Sequence, residues 1–287
     1  MKTTRSTKIV PALVLTTLVL CTAASSQAAM LVRYGFDEAS SGTTTALNAG
    51  TLDGPADGAF NGNATRTSNT AGGLGALNLN PNGGNDDFVG PSADVDGLDQ
   101  LSAMTITTWI NVQGNRSLPF YVLGSDVRND GFAGWELYYT PVGGDASVMK
   151  LGFQVGGTPT PGNFAFVDAT ANVSANNTWV FAGVTWDGSN VKFYSGPLNG
   201  SVSQVGSTLA LSQAMGTNAV AMRVGANPLS ANDRTPNAFM DDFRVYNTAL
   251  TITELQGALD SVPEATSIVL LGASGLLLLV RRKHSRE

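Results

Sequence analysis

The sequence predicts an all-β protein built as a sandwich of two antiparallel sheets, and three observations support that fold class. Short apolar runs recur about every ten residues, separated by Gly, Asn, Thr and Ser, which is typical of strands joined by turns. A helical period is kept only at residues 251–259. Residues 30–260 lie between two terminal segments of different composition, and a stretch of about 230 residues commonly forms one such domain.

The first strands are predicted from their apolar patterns. Residues 32–37 alternate with a period of two, which places Val32, Tyr34 and Phe36 on one face. The next apolar runs that predict strands are residues 104–112, 118–124 and 135–139. Residues 40–75 are rich in Gly, Asn, Thr and Ala, and we expect them to form long loops.

The last third of the domain predicts a hairpin, a final strand and a helix. Residues 179–186 are apolar on both faces, as expected for a central strand that is covered on both sides. The turn sequence Asp-Gly-Ser-Asn follows and leads into a second apolar run at 191–194, which predicts a hairpin. Residues 239–246 give the last strand, and Thr251 with Glu254 forms a capping-box pattern for a short helix.

The N-terminal segment, residues 1–29, has the pattern of a secretory signal peptide. Basic residues at positions 2–8 precede an apolar core at 9–21, and a small-x-small cleavage site follows at 26–28. The alternative is an uncleaved membrane anchor. We expect removal of the segment and export of the remaining chain.

The C-terminal segment, residues 261–287, combines three features. They are the short motif Val262-Pro263-Glu264, the uncharged apolar run at 266–280 and the basic cluster Arg281, Arg282 and Lys283. This layout resembles the PEP-CTERM sorting tail, although Ala265 stands where that motif has a second proline. The apolar run has 15 residues, fewer than the roughly 20 of a comfortable membrane helix. The basic cluster would keep the end of the chain on the cytoplasmic side.

The resemblance to a sorting tail implies a location and a partner. Proteins with such tails occur in Gram-negative bacteria, where an exosortase-type membrane protease recognises the motif during export, typically alongside exopolysaccharide production. We therefore expect a transient tether in the inner membrane, followed by release to the cell surface or the extracellular space. An ordinary C-terminal tail anchor is the alternative.

The charge and composition of residues 30–261 exclude several classes of function. Nine basic residues stand against 20 acidic ones, which leaves a formal charge of −11. Such a domain repels nucleic acid, so no nucleic-acid partner is expected. The single cysteine, Cys21, and the single histidine, His284, both lie in the terminal segments. Cysteine nucleophiles, histidine-based triads and almost all zinc or copper sites are thereby excluded from the domain.

Four segments in order resemble the signature strands of laminin-G-like, concanavalin A-like jelly-roll domains. They are VRYGFDE at 32–38, TITTWI at 105–110, WVFAGVTWDG at 179–188 and MDDFRVYNTAL at 240–250. The resemblance implies two curved antiparallel sheets in a jelly-roll sandwich. That fold serves lectins, glucanases and many bacterial surface modules, so the fold alone does not fix the function.

A structural calcium ion is predicted at Asp37 and Asp241. In a regular strand Asp241 shares a face with Phe243 and Val245, where an unpaired charge is costly. In the resembling domains an aspartate at this position joins an acidic residue of the first strand and backbone carbonyls around Ca²⁺. The alternative is that backbone amides, Arg33 or Arg244 satisfy the two carboxylates. Asp242 and the acidic run at 94–99 are expected to face solvent.

Ligand binding is predicted at Trp135 and Tyr139. In lectins of the resembling fold, aromatic rings on the concave sheet stack on sugars. The candidates that fall where that sheet is expected are Trp135, Tyr138, Tyr139 and Phe164, and the first and third of them are favoured. The alternative is that both rings belong to the core, as most aromatic side chains of a sandwich do.

The favoured function is a non-catalytic module of the cell surface or extracellular matrix that binds glycan or protein. A structural component without a specific ligand is the alternative. Related glucanases place two glutamates and an aspartate on one strand, but the chain contains no Glu-x-Asp-x-Glu pattern. Glu136 is expected to be an ordinary strand residue, and hydrolysis of glycosides is disfavoured.

Overall fold

The computed structural model describes residues 28–38, 45–52, 56–79, 87–114, 120–126, 133–143, 145–157, 163–227 and 234–261. The predicted signal peptide and sorting tail, including Val262, Pro263, Glu264, Arg281 and Arg282, lie outside these residues. Their roles and the domain boundaries remain predictions. Within the described part of the chain, no helix is both long and apolar enough to span a membrane.

The described residues form eighteen strands and one helix. In chain order the elements are β1 (Met30–Tyr34), β2 (Thr45–Ala46), β3 (Gly58–Asn61), β4 (Thr65–Thr67), β5 (Ala76–Leu79), β6 (Phe88–Gly90), β7 (Met104–Val112), β8 (Tyr121–Ser125), β9 (Gly134–Val142), β10 (Asp145–Gly156), β11 (Phe164–Asp168), β12 (Val173–Ser174), β13 (Val180–Trp186), β14 (Asn190–Pro197), β15 (Ser203–Gln204), β16 (Leu209–Ala210), β17 (Arg223–Val224), β18 (Ala238–Tyr246) and α1 (Ile252–Asp260).

These strands pair into two sheets, and the predicted fold class is confirmed. The first sheet has the order β15-β14-β13-β7-β18-β5-β4, with β1 also paired to β18 and β16 to β14. The second has the order β11-β10-β9-β8-β17-β6-β3-β2, with β12 also paired to β10. The named pairs are antiparallel.

The main hydrophobic core lies between the two sheets. It contains Ile106 and Ile110 from β7, Phe153 from β10 and Phe243 from β18, all fully buried. Burying a side chain of this size contributes about 1.5–3 kcal/mol. The core therefore supplies the main force that holds the sheets face to face in a domain whose described residues have no disulfide.

A second apolar cluster covers the outer face of the first sheet. Helix α1 contributes Leu255 and Leu259, which pack in the same cluster as Trp109 and Phe181. Strand β13 is consequently buried along its whole length, as the apolar run at 179–186 predicts. The predicted capping box begins the helix, because the Thr251 hydroxyl accepts the Glu254 amide and the Glu254 carboxylate accepts the Thr251 amide.

The prediction of long loops at residues 40–75 is wrong. Strands β2, β3 and β4 lie there, each two to four residues long. Their Gly-, Thr- and Asn-containing sequences show no apolar alternation. Pairing of β2 with β3, of β3 with β6 and of β4 with β5 holds them in place, rather than burial of a continuous face.

A β-bulge in β18 reverses the predicted orientation of Asp241. Asp241 pairs with Trp109, but Arg244 pairs with Thr107, so two residues of β18 oppose one residue of β7. Asp242 has φ +48°, a left-handed conformation that is uncommon outside glycine. The extra residue returns Phe243 to the main core and leaves Asp241 beside Trp109 on the outer face. The prediction that Asp241 shares a face with Phe243 and Val245 is therefore wrong.

Candidate functional site

The sequence after β1 brings Asp37 against a glycine-rich loop at residues 71–75. The strand ends at Tyr34, and Phe36 adopts a left-handed φ of +56° that redirects the chain. Asp37 Oδ1 then accepts hydrogen bonds from the amides of Leu74 at 2.6 Å and Gly75 at 3.2 Å. A Cβ at Gly73 would lie 2.3 Å from the same oxygen, so this close approach requires glycine.

Asp241 approaches the same loop from β18. Its side chain is 1% exposed, and its Oδ2 accepts the amide of Ala71 at 3.1 Å. The amide of Gly72 also donates to it. Burial raises the pKa of Asp241 well above its usual range, and the charges of Asp242 and Asp37 raise it further. The structure thus brings together the two predicted calcium ligands, with the 71–75 loop bound to both.

Arg33 and Arg244 pair with Asp242 rather than with either predicted calcium ligand. Arg33 Nε donates to Asp242 Oδ1 at 2.8 Å, and Arg244 donates to Asp242 Oδ2. Asp242 is 4% exposed, so the expectation that it faces solvent is wrong. The bulge that turns Asp241 outward also places Asp242 between two guanidinium groups.

The oxygen donors at the 71–75 loop are few. Asp37 and Asp241 are the two carboxylates, and amides already occupy an oxygen of each. No group of three or more Asp, Glu, His or Cys residues in the described ranges could hold a metal ion. If calcium binds, Asp37 and Asp241 would supply the side-chain ligands and carbonyl oxygens would have to supply the others. Calcium at this place remains a prediction, beside the alternative that amides suffice.

A second group of carboxylates surrounds Asn218. The backbone amide of Asn218 donates to Asp99 Oδ2 at 3.0 Å, and its side-chain amide donates to the carbonyl of Asp126 at 2.6 Å. Asp126 is buried, and its Oδ1 has no hydrogen-bond partner. Burial raises the pKa of Asp126 well above its usual range, and the charges of Asp94 and Asp99 add to the effect. The acidic run at 94–99 is therefore partly engaged in the fold rather than wholly solvated.

The rings of Trp135 and Tyr139 lie inside the sandwich. Both are fully buried members of the main core. The indole nitrogen of Trp135 donates to the carbonyl of Leu98 at 3.0 Å, and the ring of Tyr139 stacks on Tyr121 at 5.1 Å. A ring without exposed surface offers no face to a sugar, so this burial corrects the expectation of ligand contact at both residues.

The residues of β9 that alternate with Trp135 and Tyr139 point to the outer face of the second sheet. Glu136 follows Trp135 in β9 and pairs with Gln154 of β10, which pairs with Phe166 of β11. Glu136 is 1% exposed, and the side-chain amide of Asn227 donates to its Oε2. The glutamate is therefore more enclosed than an ordinary surface strand residue.

The edge of this face is aromatic. Phe164 and Phe166 are 37% and 57% exposed, and their rings are nearly parallel with centroids 6.1 Å apart. Beside them the hydroxyl of Tyr138 donates to Asp168 Oδ1 at 2.8 Å, and the Tyr138 ring packs against Phe120. Phe164 is one of the four aromatic candidates from the sequence, but Phe166 is not. Ala165 and Val167 are also apolar, so the sequence pattern does not show which face of β11 belongs to the core.

The two-sheet fold is that of a concanavalin A-like sandwich domain. Its second sheet has an exposed aromatic edge. Residues 82–256 match a laminin-G-type family model described as the concanavalin A-like lectin/glucanases superfamily. The chain belongs to this family, as the laminin-G-like resemblance predicts. No curated protein sequence matches the chain.

Solved structures with a similar fold include receptor-binding domains of botulinum neurotoxins. One is the binding domain of neurotoxin DC in complex with SialylT, at 14% identity and a TM-score of 0.54 over 82% of this chain and 52% of that one. Another is the DC domain in complex with rat synaptotagmin II, at 15% identity and a TM-score of 0.55 over 82% and 52%. A third, of neurotoxin type C, concerns cell entry dependent on two ganglioside molecules, at 14% identity and a TM-score of 0.56 over 82% and 51%. This chain spans about half of each, and at these identities the likeness shows the fold alone.

The calcium prediction can be tested with Asp241→Asn. If the ion binds, millimolar Ca²⁺ should raise the Tm of the unsubstituted protein, because a ligand bound only to the folded state stabilises it. The variant should gain little from Ca²⁺, and in chelator its Tm should equal or exceed that of the unsubstituted protein, since the substitution removes a buried charge of raised pKa. Differential scanning calorimetry with Ca²⁺ or EDTA measures both effects. Asp96→Asn, at an exposed position, is the matched control, and the absence of a Ca²⁺ effect on the unsubstituted protein would mean that the amides suffice.

Asp126 should make the domain less stable as the pH rises. The pKa of its carboxyl is raised in the folded state, so the folded state binds the proton more tightly than the unfolded chain, whose pKa is about 3.9. Stability from this group is complete below pH ~4 and falls as the pH rises through the folded pKa. Asp126→Asn should therefore raise Tm at pH 7 by about 2 °C or more, and the gain should vanish near pH 4. An equal gain at both pH values, or a gain by the Asp96→Asn control, would contradict this assignment.

Proposed function

We propose that this protein is an exported, non-catalytic binding module of a cell surface or extracellular matrix. The observation that carries the proposal is the exposed aromatic pair, Phe164 and Phe166, on the outer face of the second sheet. Exposed aromatic surface with polar residues around it is typical of binding sites rather than of inert surface. Glycan is the favoured ligand, and a protein ligand is the second candidate.

The environment of Glu136 supports a role without catalysis. Its Oε2 accepts the Asn227 amide, and its side chain is 1% exposed. A general acid or a nucleophile must reach the scissile bond of the substrate. A buried carboxylate that accepts the Asn227 amide is better suited to holding Asn227 against the sheet.

The neurotoxin domains lend support by analogy of fold. One of those domains is in complex with SialylT and another with rat synaptotagmin II, and cell entry of neurotoxin type C depends on interaction with two ganglioside molecules. Domains that contain a sandwich of this fold therefore include binders of gangliosides and of a protein. For this chain the analogy supports the binding class, and the particular ligand has to be argued from its own residues.

The terminal segments support export and sorting. The signal-peptide pattern at residues 1–29 sends the domain across the inner membrane. The Val262-Pro263-Glu264 motif, the apolar run and the basic cluster that includes Arg281 and Arg282 then serve as the sorting tail. An exosortase-type protease is the proposed processing partner, and an exopolysaccharide is a candidate ligand at the destination.

Binding without turnover is the expected result for the purified protein. It should bind one class of compound on glycan and protein arrays, and it should release no reducing sugar from β-glucans, because Glu136 is enclosed and bonded to Asn227. Reducing-sugar release that disappears in Glu136→Gln would instead establish a glycoside hydrolase. Binding to no glycan and no protein would favour the structural component without a specific ligand.

Processing of the tail can be followed by intact mass and membrane fractionation. In a host with an exosortase, the mature species should begin near residue 30, end near Val262 and leave the membrane fraction. The same host without the protease should retain the full tail in the membrane. A full-length tail in the membrane of both hosts would mean an ordinary anchor and would remove the sorting part of the proposal.

A further inference from the structure

The exposed edge of the second sheet contains a surface that we call the β11 patch, made of Phe164, Phe166, Asp168 and Gln154. We propose that the β11 patch is the glycan-binding site and that its ligand is an uncharged polysaccharide. This inference rests on the proposed binding function and specifies the site and the ligand class. The outer face of the first sheet is a poorer candidate, because helix α1 covers its aromatic side chains.

The two phenylalanines are not needed for the core of the sandwich. Strand β11 alternates between more and less exposed positions. Ala165 and Val167 point inward and pack against the main core, so Phe164 and Phe166 point outward. The other exposed large apolar residues in the described part of the chain are aliphatic and stand elsewhere: Leu47, Leu74, Leu198 and Ile252. Exposed aromatic surface is thus concentrated at this one strand.

Gln154 supplies a polar group without a protein partner beside the rings. It lies directly opposite Phe166 in the β10–β11 pair, and its side chain is 6% exposed. Its Nε2 is buried and has no hydrogen-bond partner. Because an unpaired buried donor is costly, an acceptor from a ligand, such as a sugar hydroxyl, would be favoured here. One amide donor next to an aromatic surface is the combination that ligand sites use for affinity and orientation.

Few side chains protrude from the sheet next to the two rings. Gly156 lies opposite Phe164, so no side chain of β10 stands beside that ring. At the other end of the patch the Tyr138 ring lies over Gly152, where a Cβ would come within 2.2 Å of it. The hydroxyl of Tyr138 is held by Asp168. The patch is therefore a shallow surface along β11, suited to an extended chain rather than to a small enclosed molecule.

The charges around the patch select against an anionic ligand. Asp168 belongs to the patch, and the domain carries a formal charge of −11. Carboxylated or sulfated polysaccharides would be repelled by this field. A neutral sugar loses nothing to the field, and its apolar C–H face can stack on a phenyl ring. The chemistry thus points to a neutral hexose polymer.

The test uses affinity electrophoresis of the full protein in gels that contain a single polysaccharide. The neutral probes are barley β-glucan, galactomannan and arabinogalactan-free galactan, and the anionic probes are alginate and polygalacturonate. Phe166→Ala should weaken binding to the neutral probe about tenfold. Gln154→Leu should weaken it about three- to tenfold. Ile252→Ala, at an apolar position that is 50% exposed on α1, is the matched control and should bind like the unsubstituted protein.

Several results would overturn the inference, and they separate it from the proposed function. Binding of a neutral polysaccharide that is unchanged in Phe166→Ala would move the site elsewhere while the binding function stands. Binding of anionic polysaccharides alone would overturn the ligand class. A dimer in sedimentation that Phe166→Ala dissociates, without polysaccharide binding, would make the patch an interface between copies. Binding to no polysaccharide, with a protein ligand found on the arrays, would overturn this inference and leave the protein-binding form of the proposed function.

Discussion

The bulge in β18 is the constraint on which the arrangement of the charged groups depends. One extra residue between Asp241 and Arg244 turns Asp241 to the outer face and keeps Phe243 in the core. The same residue places Asp242 between Arg33 and Arg244. Without the bulge, Asp241 would point into the space between the sheets, where a carboxylate cannot be solvated. The bulge thus lets an acidic sequence run through the middle of a sheet.

The two outer faces of the sandwich are treated differently. Helix α1 and its apolar cluster cover the first sheet, where Asp241 accepts a backbone amide and Asp242 pairs with two arginines. In the second sheet Glu136 is buried and its carboxylate accepts the Asn227 amide, whereas Phe164 and Phe166 of β11 are exposed. A covered sheet stabilises the domain, whereas an open one is available for contact. The covered first sheet therefore contributes mainly to stability, and the second sheet carries the exposed aromatic surface.

The sequence predicts best those elements whose two faces are both apolar or strictly alternate. Strands β7 and β13 lie within one residue of their predicted bounds, because burial alone determines them. Short strands at the sheet ends, such as β3, are missed because pairing rather than burial holds them. Strand β11 is not predicted for another reason. Apolar residues occupy both of its faces, so the sequence pattern does not distinguish the core face from the exposed one.

The same limits explain the candidate site. The alternation in β9 correctly groups Trp135 with Tyr139, but it does not by itself show that this face is the inner one. Leu137 lies between them on the same face, because the three residues are two positions apart. Three large apolar side chains on one face indicate the core face. The meeting of Asp37 and Asp241 was predictable from the family resemblance. The bulge was not, because a regular and a bulged strand can have the same apolar composition.

The bond between Arg244 and Ser261 has a mechanical consequence. Arg244 Nη2 donates to the hydroxyl of Ser261 at 2.7 Å, immediately beyond the end of α1. Arg244 belongs to β18, which is bonded to β1, β5 and β7. A pull on the chain at Ser261 is therefore transmitted to the interior of the first sheet and not to a free edge. The helix also packs on Trp109 and Phe181, so such a pull loads α1 and β18 together rather than either one alone.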